Sequence, residues 1–183
     1  MTLNKPLVWI DLEMSGLNLQ KDRILEIAVI VTDKDLNLVA ESDDIIVQTD
    51  KALLDQMDEW CVKHHGESGL TQAAIDSKIS MKEAEARILD FIKNHIPEER
   101  VGVLAGNSVH MDKEFLRKDM PSLLAHLHYR LVDVSTVKEL MARWNPDLLA
   151  KAPAKKQTHR ALDDIRESIE ELKFYQTHAF VLK

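Results

Sequence analysis

The sequence predicts a mixed α/β domain, in which a central sheet is flanked by helices. Three apolar segments with short polar connections come first, which indicates a three-strand antiparallel meander. Segments with helical periodicity then alternate with short apolar segments, which adds further strands and the flanking helices. The length of 183 residues suits one core, so we expect a single domain over residues 1–183.

The meander is predicted from apolar runs and the polar residues between them. Residues 7–13 form a buried strand that ends before Gly16, and residues 23–32 form the second strand. A polar turn at 33–37 leads to a third apolar segment at 38–47.

The later elements are predicted from helical spacing and from start signals. Ser80 with Glu83, and Thr136 with Glu139, have the spacing of capping boxes, each of which opens a helix. The other predicted elements are a helix at 50–60, a strand at 101–105, a helix at 108–119, a strand at 130–134, a helix end near 145–146 and a last helix at 160–178.

The charge balance limits the kind of nucleic-acid binding that is possible. Lys and Arg number 24 and Asp and Glu number 31, which gives a net charge of −7. Non-specific affinity for a long nucleic acid comes mostly from neutralised phosphates, so this chain should not bind long polymers tightly. One locally basic stretch, residues 151–160, has four cations and no acid, and taken alone it is more simply interpreted as a solvated loop than as a binding segment.

The cellular location is predicted from the apolar runs, the first residues and the cysteine content. The apolar runs are too short to span a bilayer, and the first residues do not have the pattern of a secretory signal. A single cysteine, Cys61, cannot form an internal disulfide. We therefore expect a cytoplasmic protein.

Two acids in the first strand stand out. Asp11 and Glu13 are two residues apart, so their side chains leave the same face of the strand, opposite Val8, Ile10 and Leu12. Adjacent carboxylates on a buried face repel each other and lose hydration unless a cation holds them. The pattern is therefore compatible with a metal site, or with a strand end that faces solvent.

Three more polar residues fall near apolar helix faces. Asp112 lies within the stripe of its helix, although acids are also favoured in a first helical turn. In the last helix Asp164 falls at the edge of the apolar stripe, whereas Asp163 falls nearly opposite. His159 precedes Asp164 by five residues, at the junction of loop and helix, where a histidine is either structural or functional.

Together these residues resemble a known enzyme family. Asp11-Leu12-Glu13, Asp112 and His159 followed by Asp164 match, in order and spacing, the DEDD 3′→5′ exonucleases of the His-containing subgroup. The resemblance implies a ribonuclease H-like fold. It covers essentially the whole chain and is nearest to a branch that degrades very short RNA. The matching segments are 9–17, 58–60 with His65, 106–108, 128–130, 133–140 and 163–168.

Two departures from the family pattern are modest. Ser15 replaces a threonine, and the loop at 151–157 is altered. Neither change removes one of the five matching acid and histidine residues.

The resemblance implies the chemistry of the site. Asp11, Glu13, Asp112 and Asp164 would hold two divalent cations, Mg²⁺ or Mn²⁺, as suits hard ions with oxygen ligands. His159 would act as the general base toward the attacking water. The products would be nucleoside 5′-monophosphates.

The resemblance also implies the substrate contacts. Ser108, Arg130, Ser135 and Thr136 would bind the 5′-phosphate of a dinucleotide, and a helix start and a guanidinium are independently suited to a phosphate. Thr136 would serve equally as a helix cap. The residues implied to line the base-binding part of the site are Leu17, Trp60 and His65, although core packing is the alternative for Trp60. Tyr129 would reach the site of a partner subunit in a homodimer.

Three functions compete at this point. The first is exoribonuclease activity on very short RNA, and the second is a DEDD exonuclease that acts on longer RNA or DNA ends. The third is an inactive binding module, which the presence of all four acids and the histidine disfavours.

Overall fold

A computed structural model describes residues 3–154 and 160–180. The strands of this part are β1 (Leu7–Met14), β2 (Ile24–Thr32), β3 (Leu38–Glu41), β4 (Ile45–Ile46), β5 (Val103–Gly106) and β6 (His128–Asp133). Its helices are α1 (Lys51–Leu54), α2 (Glu59–Glu67), α3 (Leu70–Asp76), α4 (Met81–His95), α5 (His110–Asp119), α6 (Pro121–His126), α7 (Val134–Trp144), α8 (Pro146–Leu149) and α9 (Ala161–His178).

The described strands form one mixed sheet in the order β3-β2-β1-β5-β6, and β4 also pairs with β2. The β1–β2 and β2–β3 pairs are antiparallel, which confirms the predicted meander. The β1–β5 and β5–β6 pairs are parallel. Strand β1 therefore lies in the middle of the sheet, with an antiparallel neighbour on one side and a parallel one on the other.

The third apolar segment forms two short strands, so the prediction of one strand over 38–47 is wrong. The hydroxyl of Ser42 accepts a hydrogen bond from the Val29 amide at 2.9 Å, and the Ser42 amide donates to the Val29 carbonyl at 2.9 Å. This side-chain bond takes the place of a ladder bond to β2 and ends β3. The chain then bends and pairs with β2 again as β4.

The predicted helix at 50–60 is also wrong, because two helices occupy this region. Helix α1 ends at Leu54, and α2 begins after Asp58, whose carboxylate accepts a hydrogen bond from the Cys61 amide at 2.8 Å. This N-cap starts a new helix. Trp60 consequently lies in the first turn of α2 and is 54% exposed.

The start of α7 differs from the predicted capping box. The N-cap is Asp133, whose carboxylate accepts a hydrogen bond from the Ser135 amide at 2.9 Å, and Thr136 lies inside the helix. Glu139 pairs with Arg143 one turn later, at 2.5 Å. The other capping box is confirmed in its main bond, since the Ser80 hydroxyl accepts from the Glu83 amide at 3.2 Å.

Two apolar layers cover the faces of the sheet. Val8, Ile10 and Leu12 of β1 pack in one cluster with residues of α4, α5 and α6. Trp9 points to the other face and packs with residues of α7 and α9. None of the described helices is long and apolar enough to cross a membrane.

A substitution of Phe115 tests how strongly α5 packs in the apolar layer that contains Val8 and Ile10. Its side chain is fully buried, so Phe115→Ala should lower the free energy of unfolding by about 3–5 kcal/mol, measured by urea denaturation. The control on the same helix is Arg117→Ala, which removes an exposed ion pair with Glu114 and should cost about 0.5 kcal/mol or less. A similar small loss in both variants would contradict this packing.

Candidate active site

Strand β1 brings two carboxylates to one end of the sheet. Asp11 and Glu13 leave the same face, and in the antiparallel register they lie opposite Ala28 and Glu26 of β2. Asp11 is half-buried and Glu13 is buried. The alternative of a fully solvent-facing strand end is therefore wrong.

Helix α9 adds a third carboxylate from its first turn. Carboxylate oxygens of Asp11, Glu13 and Asp164 all lie within 4.8 Å of one another. Asp163, the preceding residue, points away and pairs with Arg166 at 2.8 Å. The helical phase thus distinguished the two acids correctly.

Asp112 reaches strand β1 from helix α5. Pairing between β1 and β5 ends at Trp9 and Ala105, and α5 follows soon after β5. Asp112 is buried, and its Oδ1 accepts a hydrogen bond from the Leu12 amide at 3.1 Å. It therefore lies beside the three-carboxylate cluster, and its charge is felt by Glu13.

The electrostatics of Glu13 reflect this crowding. Burial, followed by the charges of Asp164, Glu26 and Asp112, raises the pKa of Glu13 from 4.5 to about 8. The guanidinium of Arg160 acts in the opposite direction. Burial likewise raises the pKa of Asp112 to about 7. The site thus favours protons or cations over bare carboxylates.

A cleft of about 440 Å³ is lined by Asp11, Glu13 and Asp164, together with Leu17 and Trp60. Leu17 is 66% exposed and Trp60 is 54% exposed, so both present apolar surface to the cleft. Core packing, the alternative for Trp60, is therefore wrong.

The loop that carries Leu17 is held by a buried carboxylate that sequence reasoning missed. Asp22 accepts hydrogen bonds from the Ser15 hydroxyl at 3.1 Å and from the Asn18 amide at 2.9 Å. A Cβ on Gly16 would lie 2.4 Å from an Asp22 oxygen, so this close approach requires glycine. The signal in the sequence was an acid between two turn segments, which is too common to single out.

A second polar cluster lies where β5 and β6 end. The Ser108 amide donates to Asp133 Oδ1 at 2.9 Å and to the Ser135 hydroxyl at 3.0 Å, and the two serine hydroxyls are 3.2 Å apart. Asp133 Oδ1 also accepts the Ser135 amide. The structure therefore brings Ser108 and Ser135 together, with Asp133 as a shared acceptor that sequence reasoning did not assign.

Known proteins resemble this chain in sequence along most of its length. The Exonuclease family model matches residues 8–172. The mouse protein "Oligoribonuclease, mitochondrial" is 51% identical over 177 residues, which cover 97% of this chain and 74% of the relative. "Oligoribonuclease" of Actinobacillus pleuropneumoniae is 53% identical over 175 residues, which cover 96% of this chain and 94% of the relative.

The chain belongs to the oligoribonuclease family. "Oligoribonuclease" of Arabidopsis thaliana, 54% identical over 96% of the chain and 79% of that relative, agrees. The predicted resemblance to a His-containing exonuclease branch is therefore confirmed at the level of the family, and with it the enzyme class, a hydrolytic exoribonuclease. The name of the mouse relative shows that location varies among relatives, so the cytoplasm stays a prediction.

Solved structures confirm the fold. Exonuclease I of Methylocaldum szegediense superposes with a TM-score of 0.71 at 18% identity, over 94% of this chain and 40% of that one. The zinc-bound E. coli ExoI–ssDNA complex gives a TM-score of 0.71 at 18% identity, over 95% and 41%. This oligoribonuclease-family chain spans about two fifths of their length, and the likeness confirms the ribonuclease H-like fold alone.

Two other predicted site residues lie apart from the cleft lining. His65 is buried, its Nε2 lies 2.8 Å from the Met14 carbonyl oxygen, and its Nδ1 lies 3.9 Å from Glu13 Oε2. It therefore sits behind the acids. Tyr129 is 70% exposed on β6, where its ring stacks on His128.

Arg130 and Thr136, two of the predicted phosphate-binding residues, are exposed. The predicted general base, His159, lies outside the described residues. Arg130 is exposed and its guanidinium lies over the Tyr129 ring, 5.4 Å from the ring centre. Thr136 is exposed on the first turn of α7. His159 falls within residues 155–159, outside the described part of the chain.

The three clustered acids fit a divalent cation. Each offers an oxygen within 4.8 Å of the others, and hard divalent ions prefer oxygen ligands. Burial and, after it, the neighbouring acids raise the pKa of Glu13, and a bound cation would offset both effects.

Stability should therefore fall with rising pH when metal is absent, and it should lose this dependence when metal is bound. Because the pKa of Glu13 rises from 4.5 unfolded to about 8 folded, the folded state holds the extra proton between about pH 5 and pH 8. In chelator, the Tm should fall as the pH rises through this window. In excess Mn²⁺ the fall should disappear, because cations favour the charged carboxylates. Glu13→Gln should flatten the chelator profile; a wild-type Tm that rises with pH in chelator would contradict the assignment.

Proposed function

We propose that this chain is a 3′→5′ exoribonuclease that hydrolyses very short oligoribonucleotides, dinucleotides above all, to nucleoside 5′-monophosphates. The observation that carries the proposal is the convergence of Asp11, Glu13 and Asp164 within 4.8 Å in a cleft that also exposes Leu17 and Trp60. The names of the relatives support the substrate class.

The acids are proposed to bind two divalent cations, Mg²⁺ or Mn²⁺, with Asp112 completing the set beside Leu12. Such ions supply positive charge to the scissile phosphate and its attacking and leaving oxygens. Asp11, Glu13 and Asp164 hold that charge at the floor of the cleft. His159 is assigned the role of general base that takes the proton of the attacking water.

Leu17 and Trp60 are proposed to hold the bases. An aromatic face stacks on any base, and a leucine in the same cleft gives an apolar contact without sequence preference. Asp22 fixes the Leu17 loop for this contact. His65, buried behind Glu13, supports the wall through the Met14 carbonyl.

The second cluster is proposed to bind the 5′-phosphate. Ser108 and Ser135 already place two hydroxyls 3.2 Å apart, and Thr136 and Arg130 are exposed near them in the chain. Since the Ser135 amide donates to Asp133, recognition rests on the hydroxyls and the guanidinium rather than on that amide. A group that binds the far end of a dinucleotide would disfavour longer strands.

Tyr129 is proposed to act across a homodimer. Strand β6 is at the end of the described sheet, and the Tyr129 ring is 70% exposed there. An exposed aromatic side chain on an edge strand suits an interface.

Substrate length provides the main test. With Mn²⁺ the chain should cleave a 5′-phosphorylated RNA dinucleotide about tenfold or more faster than a long RNA of matched composition, because the phosphate contacts need a nearby 5′ end. EDTA should abolish both reactions. Asp164→Asn should remove activity, whereas the neighbouring Asp163→Asn should keep it. Equal or faster cleavage of long RNA or DNA would instead favour the general exonuclease.

Arg130→Ala tests the phosphate contact. Loss of a charged contact should raise the KM for the 5′-phosphorylated dinucleotide by about 10- to 100-fold and leave the unphosphorylated dinucleotide unchanged. Arg143→Ala, which removes the same charge from an exposed pair on α7, is the control. An equal loss on both dinucleotides would refute a phosphate-binding role.

A further inference from the structure

A buried ion pair lies directly behind the carboxylate cluster. Glu26 of β2 is fully buried and lies opposite Glu13 in the strand register. Its Oε1 accepts from Arg160 Nη2 at 2.8 Å, and both of its oxygens accept from Arg160 Nε, at 3.1 and 3.3 Å. A fully buried carboxylate needs such a partner, but its position next to a like charge needs a further reason.

Arg160 is also the N-cap residue of α9, and its own side chain makes no cap bond. Asp44, between β3 and β4, takes over this role from outside the helix. Its Oδ1 accepts from the Leu162 amide at 3.3 Å, and its Oδ2 lies 3.7 Å from Arg160 Nη2. The first turn of α9 is therefore tied to β2 through Glu26 and to the β3–β4 connection through Asp44.

This tie is one helical turn from the cluster. The Asp164 amide donates to the Arg160 carbonyl at 3.0 Å, so Asp164 follows any movement of Arg160. Its carboxylate faces those of Asp11 and Glu13, which repel it. Without an opposing attachment, repulsion would push the start of α9 away from β1.

We propose that Glu26 and Arg160, assisted by Asp44, are positioning residues for the metal centre. They hold the first turn of α9 against the sheet, so that Asp164 stays within reach of an ion shared with Asp11 and Glu13. This inference rests on the proposed function, since it requires that the three acids bind divalent cations. We call these three residues, Glu26, Arg160 and Asp44, the α9 anchor.

For the substitution of Arg160, loss of the α9 anchor and loss of a positive charge predict opposite changes in the affinity for divalent cations. Removal of the Arg160 cation alone would strengthen cation binding, because a positive charge near the acids is lost. Loss of the anchor would weaken it, because Asp164 is displaced. The double variant Glu26→Gln with Arg160→Gln leaves the net charge unchanged and leaves no unpaired buried carboxylate, so it separates position from charge most cleanly.

The experiment is Mn²⁺ binding to the full chain, followed by the electron paramagnetic resonance signal of free Mn²⁺, with Tm recorded in chelator. Arg160→Gln and the double variant should each raise the Mn²⁺ dissociation constant by about tenfold, the size usual for residues that support metal ligands. Arg166→Gln is the matched control: with the same charge change, it breaks the ion pair from α9 to Glu41 of β3 and the pair with Asp163 within α9, and it should leave Mn²⁺ binding unchanged.

The outcomes separate the anchor from the proposed function. Wild-type affinity in the double variant, or tighter binding in Arg160→Gln, would overturn the anchor while the metal site stands. An equal loss in Arg166→Gln would overturn it too, since any weakened attachment of α9 would then suffice. Wild-type protein that binds no Mn²⁺ would overturn both. If Arg160→Gln alone fails to fold, the double variant still decides.

Discussion

Repulsion among Asp11, Glu13 and Asp164 is the constraint on which the rest of this structure depends. Like charges within 4.8 Å in a partly buried site oppose folding, and burial together with the neighbouring acids raises the pKa of Glu13 to about 8. A fold that keeps them together must hold each acid on an element that is fixed elsewhere. Here one acid pair is on the central strand, and the third is on a helix attached at its first turn.

The supporting acids behave differently from the clustered ones. Asp22 and Asp133 each accept at least one backbone amide, and so each organises a loop or a strand end. Backbone donors stabilise a carboxylate without bringing another charge into the site. The structure thus uses some acids as local braces and concentrates the others where a cation can compensate them.

Period-based reasoning predicted how the acids of two elements are oriented, because that geometry is local, whereas the roles of the site residues were implied by the family resemblance. Two-residue alternation put Asp11 and Glu13 on one face, and helical phase separated Asp164 from Asp163. Boundaries set by side-chain to backbone bonds were less predictable. Ser42 divides one apolar segment, Asp58 starts a new helix, and Asp133 rather than Thr136 caps α7. The sequence pattern does not reveal which of several competing polar side chains reaches an amide.

Contacts distant in the sequence were the least predictable. Glu26 and Arg160 are 134 positions apart, and no periodicity links them. The sequence analysis assigned no role to Glu26, although a fully buried carboxylate is unstable without a partner. Its partner could be identified only once the register placed β2 beside β1 and α9 against both. The same pattern, a buried charge with no local partner, is therefore a useful signal for residues that support a site from behind.

The acidic character of the chain also bears on the proposed preference for short substrates. With a net charge of −7, affinity should not grow with each added phosphate as it does for proteins with a basic surface. Under the proposed function, attraction would come from cations at the clustered acids and from the few groups around Ser108 and Arg130. Recognition would then depend on whether both ends of a strand fit these two places at once. A length preference of this kind would follow from the spacing of two sites on a repulsive surface, and it would need no wall to exclude longer RNA.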